Sequence, residues 1–304
     1  MLADPRAGTA NQALGIAERL GVPFRVVELG WSAWARGPWP WPTLAGLDAA
    51  ARARIVPPWP RLVLSAGRRS APVALWLGQR GVRTVHAMRP GFGAARFDLL
   101  VLGRHDRPRP APNVIEIVGA CHRVSAAVLA QARAEWAELA ALPSPRVAVL
   151  VGGPVRAEGL DRGTAERLIP RVLARFPDAS LLVTTSRRTG TEATALIAAA
   201  LADRPHRLFR WGDAGPNPYL GYLAFADAIV VTGDSVSMLA EACATAAPVF
   251  VATRERGRHE RMIESLMNAG RARPLRVAAA PFPVTPLDEA DRVAAAIRAR
   301  GLLD

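Results

Sequence analysis

The sequence predicts an α/β protein of two Rossmann-like domains with a central cleft. Three observations carry this. Short β-branched apolar runs alternate with helical stretches, the signature of βα units and a mainly parallel sheet. The alternation halts at the two prolines of Leu142–Pro145 and then restarts, so two α/β halves follow one another. The chain has 304 residues, 50% of them apolar, enough for two domains that each bury a core.

In the first half, strands are expected at Phe24–Glu28, Arg61–Leu64, Val82–His86, Phe97–Leu102 and Val114–Ile117. Helices are expected at Thr9–Leu20, Ala71–Arg80 and Val124–Leu142. The second half reads as strands Arg146–Val151, Ser180–Thr184, Arg207–Trp211, Ala228–Thr232 and Pro248–Ala252. Its helices fall at Thr164–Arg175, Thr191–Ala202, Asn217–Phe225, Ser235–Thr245 and Arg258–Ala269. A last helix runs to about Arg300, with Thr285 as cap, Pro286 at the first helical position and Asp288 three after the cap. The expected division is therefore 1–143, 144–284 and a C-terminal helix at 285–304. Met1–Ala3 reads as the tail of a strand, short against the usual length of about 5–6 residues, which suggests a late start codon.

The chain holds 39 basic residues, all arginine, and a net charge of +13. Such a surface favours phosphorylated small molecules or an anionic membrane face. No run of like charge or aromatic–basic motif suits nucleic acid. Cys121 and Cys243 are too few for a disulfide framework, and the scattered histidines His86, His105, His122, His206 and His259 lack paired ligand spacing, so no metal is expected. No apolar stretch reaches the ~20 residues of a bilayer span, and Asp4, Pro5 and Arg6 interrupt any signal peptide. A cytoplasmic location follows, peripheral to a membrane if the tryptophans engage one. Trp31, Trp34, Trp39, Trp41 and Trp59 crowd a Pro/Gly-rich stretch. With Arg36, Arg52 and Arg54 they suit either a membrane interface through the Trp31–Trp41 loop or packing on the core.

The sharpest motif is Thr232-Gly233-Asp234-Ser235, which ends a β-branched run and opens a helix. Asp234 or Ser235 can cap that helix, and free N–H groups at a helix start attract anions. Asp234, Ser237 and Glu241 share one helix face. Hydroxyls near the start suit a phosphate, and a carboxylate further on suits the hydroxyls of a ribose. An ordinary capped helix would show the same residues. Gly152 and Gly153 follow the first strand of the second half, where glycine lets backbone approach a phosphate. Arg187 and Arg188 follow the next strand and suit a diphosphate clamp.

In the first half Ser65, Arg68 and Arg69 form a similar strand end, facing the cleft from the other side as an acceptor site. Asn11 and Gln12 open the first helix and can bond a sugar; Asp4 before them is a candidate base. His105 beside Asp106 is a candidate acid–base group.

The strings DPRAGTANQALGIAERLG, LSAGRRSAPVALWL, FDLLVLGRHDRP, NVIEIVGACHRV, TTSRRT and NPYLGYLAFADAIVVTGDSVSMLAEACATAAPVFVAT resemble the "elongated mitochondria" fission-protein family over nearly the whole chain. The domain pattern is similar to GT-B enzymes, including UDP-GlcNAc 2-epimerases and lipid-sugar transferases. That resemblance implies a nucleotide sugar, UDP-linked, as substrate and no cofactor, with Ser235, Ser237 and Glu241 holding it. It implies a glycosyltransferase of cell-envelope glycoconjugates or a nucleoside-diphosphate-sugar epimerase. The plant member, a recruiter of a dynamin-related protein, implies instead a non-catalytic adaptor with a protein partner at a membrane surface.

Overall fold

The computed structural model describes residues 1–304 except 38–39, 155–158, 254, 277–281 and 283. The chain divides into two compact units, Met1–Arg123 with Asp288–Asp304, and Val124–Leu287.

The first unit runs β1 (Leu2–Ala3), α1 (Ala7–Leu20), β2 (Val27–Glu28), α2 (Ala49–Ala53), β3 (Leu62–Ala66), α3 (Ala71–Gly78), β4 (Arg83–Ala87), β5 (Leu99–Gly103) and β6 (Val114–Ile117). Its four-stranded sheet is parallel throughout, in the order β3-β4-β5-β6, and β1 pairs in parallel with β2. Only Val27–Glu28 of the expected Phe24–Glu28 strand pairs, and Phe24 and Val26 are left exposed.

The second unit runs α4 (Ala126–Glu135), β7 (Arg146–Val151), α5 (Arg162–Arg175), β8 (Ser180–Thr185), α6 (Thr191–Ala199), β9 (His206–Phe209), α7 (Tyr219–Phe225), β10 (Ala228–Val231), α8 (Val236–Ala242), β11 (Val249–Val251), α9 (Arg258–Asn268) and β12 (Ala272–Pro274). Its six strands are all parallel, in the order β12-β11-β10-β7-β8-β9. The chain starts in the middle at β7, builds outward through β9, then crosses back to β10 and builds the other way. That reversal makes a topological switch point between β7 and β10, where open α/β sheets bind ligands at the strands' carboxyl ends.

Both sheets are buried on two faces, which explains why strands such as Val147–Val151 and Leu99–Leu102 read as continuous apolar runs. In the second unit Phe250 stacks edge-on against Phe176 and Phe282, each at 5.7 Å. In the first, α1 and α10 (Glu289–Ala299) cover one face, with Ile16, Val293 and Ile297 fully buried against Leu99 and Val101. Each such side chain contributes roughly 1.5–3 kcal/mol.

Two boundaries differ from the sequence-based expectation. The expected helix Val124–Leu142 is α4, capped by the Ser125 hydroxyl on Val128 N–H, followed by a 3₁₀ turn at Ala137–Ala141. Both pack with the second unit because α4 lies on α7. The division therefore falls at Arg123 rather than at the prolines. The C-terminal helix starts later than the Thr285–Pro286 reading: Asp288 caps it by accepting from Asp291 N–H. It belongs to the first unit, held by Arg19 to Asp288 at 2.9 Å and by Val118 N–H to the buried Glu289 at 2.5 Å.

The α4–α7 contact needs a glycine. A Cβ at Gly221 would stand 2.5 Å from Cγ of Trp136. Gly221→Ala is expected to destabilise the chain by about 1–3 kcal/mol through overpacking, read as a lower urea midpoint with an unchanged m-value.

Candidate functional site

Four strand ends of the second sheet converge at the switch point, and hydrogen bonds lace them together. β10 delivers Thr232, Gly233 and Asp234. The Thr232 hydroxyl accepts from Gly152 N–H at 2.8 Å, and the Asp234 carboxylate accepts from Gly153 N–H. From the β8 end, the Thr189 hydroxyl donates to the carbonyls of Gly152 at 2.7 Å and Val151 at 3.0 Å. From the β11 end, the Thr253 hydroxyl accepts from Gly233 N–H at 2.8 Å.

The glycines make this lacing sterically possible. A Cβ at Gly152 would lie 2.4 Å from Oδ2 of Asp234, and one at Gly153 would lie 1.9 Å from the carbonyl oxygen of Arg188. At Gly233 it would meet Glu255 Cγ at 2.7 Å. The expected reading of Gly152–Gly153 was backbone amides open to a phosphate. Both amides are instead taken by Thr232 and Asp234, because the β10 loop sits directly against the β7 loop. Asp234 is 6% exposed; its Oδ2 holds Gly153, and its Oδ1 is buried with no hydrogen-bond partner among the described residues.

Of the two cap candidates, Asp234 and Ser235, it is Ser235 that caps α8 by accepting from Met238 N–H at 3.4 Å. The helix is shorter than expected, Val236–Ala242. Ser237 sits in its first turn, half-buried. Glu241, two turns in, meets a residue outside the predicted set: the Tyr219 hydroxyl donates to Glu241 Oε2 at 2.6 Å. Tyr219 opens α7, its backbone N–H bonded to the Asn217 side chain at 3.0 Å. The helix-start string Asn217-Pro218-Tyr219 ahead of the β10 run was the signal that could have found it.

Burial pushes the Glu241 carboxyl up to about 7, the Tyr219 hydrogen bond pulling weakly the other way. Burial and the neighbouring carboxylate push the Tyr219 phenol well above its ordinary range. Burial thus lifts the Glu241 carboxyl toward neutral pH on the helix that follows β10, and carboxyls perturbed in this way cluster at functional sites.

Arg187 and Arg188 sit in the turn after β8. The turn is built by the Ser186 hydroxyl accepting from Arg188 N–H at 3.2 Å and the Thr189 hydroxyl accepting from Ser186 N–H at 2.9 Å. Arg187 is exposed and Arg188 half-buried, and neither guanidinium forms an ion pair with a described residue. Their charge is available to an anion beside the switch point.

In the first unit the predicted residues divide. Asp4 is buried and gripped by Arg6, which donates from Nε at 2.8 Å, from Nη2 at 3.0 Å and from its backbone N–H at 2.9 Å. Burial alone would raise the Asp4 carboxyl. The Arg6 hydrogen bonds outweigh it, with Arg69 adding charge, and hold it below the ordinary range. An ionised, occupied carboxylate is a poor base, so its geometry is that of an anchor. His105 is 3% exposed and lies under Gly103, with Nε2 3.8 Å from the Asp106 carboxylate. Ser65, expected at an acceptor surface, is 1% exposed and points into the sheet, where its hydroxyl meets Nδ1 of His86 at 2.7 Å. The β3–β4 register puts those two residues side by side. Burial drives the His86 imidazole down to about 3, so it is neutral. Asn11 is half-buried and Gln12 buried on α1. Arg68 and Arg69 are exposed in the turn after β3.

Among the tryptophans, Trp34 and Trp41 are 70% and 53% exposed, whereas Trp59 packs edge-on against Trp76 at 5.8 Å. Trp39 and the Arg36 side chain lie outside the described residues. No group of three or more His, Cys, Asp or Glu that could hold a metal occurs among the described residues, and no described helix is long and apolar enough to cross a membrane.

The sequence profile of the family described as Mitochondrial fission ELM1 matches residues 7–301. The chain belongs to this family. It is 32% identical over 219 residues to the mitochondrial fission protein ELM1 of Arabidopsis thaliana, a match that takes in 63% of this chain and 51% of that one. The chain thus spans about half the length of the curated relative it matches. Among solved structures it is similar to the UDP-GlcNAc 2-epimerase of Methanocaldococcus jannaschii, with a TM-score of 0.56 at 12% identity, covering 98% of each chain. It is also similar to the glycosyltransferase SnogD of Streptomyces nogalater, with a TM-score of 0.53 at 15% identity, covering 99% of this chain and 93% of that one. The likeness is one of fold: this ELM family chain carries two Rossmann-like α/β units of the GT-B type.

Proposed function

We propose that this ELM family member binds a nucleotide sugar at the switch point of its second unit. The activity that follows is glycosyl transfer without a metal, or the related epimerisation of a nucleoside-diphosphate sugar. The observation that carries the reading is the Tyr219–Glu241 pair, on helices that flank β10, taken together with the Arg187–Arg188 turn after β8 of the same sheet. A carboxylate in the second turn of α8 can accept from hydroxyls of a ribose, and two guanidiniums on the turn after β8 can take a diphosphate in bidentate fashion. As the glycosidic bond breaks, charge gathers on the departing diphosphate. Arginines already in place stabilise it without reorganisation, the task a metal ion performs elsewhere. Epimerase and glycosyltransferase neighbours on the same fold support the ligand class by analogy.

The test is a thermal-shift titration of the full chain with UDP, UDP-GlcNAc and matched adenine and guanine nucleotides. UDP at ~100 times its dissociation constant should stabilise by roughly 2.7 kcal/mol. At about 2–4 °C per kcal/mol for a domain of this size, the shift is several degrees. If no nucleotide moves the melting temperature, the reading is lost.

A second reading, an adaptor that keeps the fold without the chemistry, is favoured by one pair of observations. Asp4 is engaged by Arg6 and His105 is buried under Gly103, so neither candidate acid–base group is presented to a substrate. In that case the exposed Trp34 and Trp41 would seat the chain on a membrane of the cell's cytoplasmic side, where a protein partner is recruited. Flotation with anionic vesicles would then be lost on Trp34→Ala/Trp41→Ala and would survive Glu241→Ala.

A further inference from the structure

Glu241 is a flexible side chain, and the fold supplies it with a rigid partner. Two short helices flank β10 in sequence, α7 before it and α8 after it. Tyr219 is the first residue of α7, and Glu241 lies in the second turn of α8. The phenol bridges the two helices by donating to Oε2 of Glu241 at 2.6 Å. Each end of the bridge is anchored by contacts of its own. The Asn217 side chain accepts from Tyr219 N–H at 3.0 Å, and Tyr222 N–H donates to Pro218 O at 2.8 Å, which closes the first turn of α7. Gly221 seats α7 against Trp136, and Leu223 and Phe225 bury its inner face. On the other side, α8 is held by the Ser235 cap and by the buried Leu239.

The two oxygens of Glu241 are in unlike states. Oε2 is taken by the phenol. Oε1 accepts no hydrogen bond from a described residue, yet it is not among the polar atoms sealed from solvent. It is the oxygen open to a ligand. Among the described residues, Tyr219 is the only titratable group that acts on this carboxyl, and no charged group does. Burial raises the carboxyl, and the phenol's hydrogen bond opposes that rise. The phenol itself is pushed well above its ordinary range, so it keeps its proton and stays a donor wherever the carboxyl titrates. A free glutamate would lose rotamer freedom when a ligand arrives, and that loss subtracts from affinity. A tyrosine has only two side-chain torsions, and on a packed helix it can hold the carboxylate beforehand at little cost of its own.

We propose that Tyr219 is a positioning residue of the ligand site: its phenol pins the Glu241 carboxylate in one orientation and leaves Oε1 to accept from the ligand. This deepens the nucleotide-sugar reading and rests on it for the identity of the ligand.

Tyr219→Phe tests it, because the change keeps the ring and deletes only the hydroxyl. The first readout is thermal melting of the parent and variant chains at pH 5 and pH 8.5 without nucleotide. A hydrogen bond to an ionised acceptor is about twice as strong as one to a neutral acceptor. The variant should therefore melt below the parent by a wider margin at pH 8.5 than at pH 5. An equal margin at both would overturn the pinning, since lost packing alone does not follow pH. The second readout is calorimetric titration with UDP from pH 6 to pH 9. The variant should bind UDP about three- to tenfold more weakly at pH 7, and the pH at which its affinity rises should move up by about half a unit or more. In a Glu241→Ala background the same change should alter UDP affinity by less than about twofold, because no carboxylate is left to position. UDP affinity in Tyr219→Phe equal to the parent's would overturn the proposal, as would a further tenfold loss in the alanine background. A parent chain that binds no nucleotide but keeps the wider margin at pH 8.5 overturns the donor reading and supports the pinned carboxylate.

Discussion

Glu241→Gln should weaken UDP binding by about 10- to 100-fold at pH 8, the loss of one charge-assisted hydrogen-bonding group at roughly 1.4–2.7 kcal/mol. The pH dependence sharpens this expectation. Burial places the Glu241 carboxyl at about 7, and the ionised form accepts from hydroxyls about twice as strongly as the protonated one. UDP affinity should therefore rise between pH 6 and pH 8 in the parent chain and stay flat in the glutamine variant. Stability should move the opposite way. The carboxyl is raised in the folded chain from an ordinary value of 4.5 to about 7. Between those pH values the folded state holds a proton that the unfolded state has released, so stability falls as pH rises through that window. Glutamine carries no such penalty. The variant should melt higher than the parent above pH 7 and alongside it below pH 4.5. Calorimetric UDP titrations and thermal melts across this range check both halves. A parent chain whose UDP affinity is independent of pH would remove Glu241 from the ribose.

The lacing of β7 to β10 predicts an unusual double-mutant cycle. Gly152→Ala puts a methyl 2.4 Å from the Asp234 carboxylate. Overpacking of that kind costs about 1–3 kcal/mol. Asp234→Ala strips Gly153 N–H of its acceptor and leaves a buried donor unpaired, also about 1–3 kcal/mol. Yet the second change removes the atoms that the first collides with. The double variant should be more stable than the sum of the singles by about 1 kcal/mol or more, outside the ~0.3–0.5 kcal/mol within which independent sites add. Urea unfolding of the four proteins measures it. Simple additivity would mean that the two loops do not press on each other.

Legibility of the site in the sequence follows a physical divide. Thr232–Ser235 and the Ser235 cap were readable because they depend on neighbours within four residues: a β-branched run, a turn glycine and a hydroxyl at a helix start. What those residues touch was not readable. Gly152 and Gly153 announced a close approach, but the approaching group is the Asp234 carboxylate and the Arg188 carbonyl rather than a phosphate. Ser65 carried the right residue type at a strand end, yet the strand's pleat turns it inward onto His86. Asp4 looked like a base until Arg6, two residues on, closed around it. Tyr219 lies 22 residues before Glu241, and no local pattern links them.

The fold itself shows the same divide. Alternation of apolar runs with helical stretches, the restart after Leu142–Pro145 and the near-continuous apolar strands determined by themselves that this is a chain of two parallel α/β units. They act through local periodicity and through the need to bury a sheet on both faces. Only the tertiary structure decided where the units divide and which one keeps the last helix. Arg19 meets Asp288 and Val118 meets Glu289 across long stretches of chain, and α4 lies on α7 because Gly221 makes room for Trp136. It alone also raised the Glu241 carboxyl to about 7, since burial is a property of the surroundings and not of the residue.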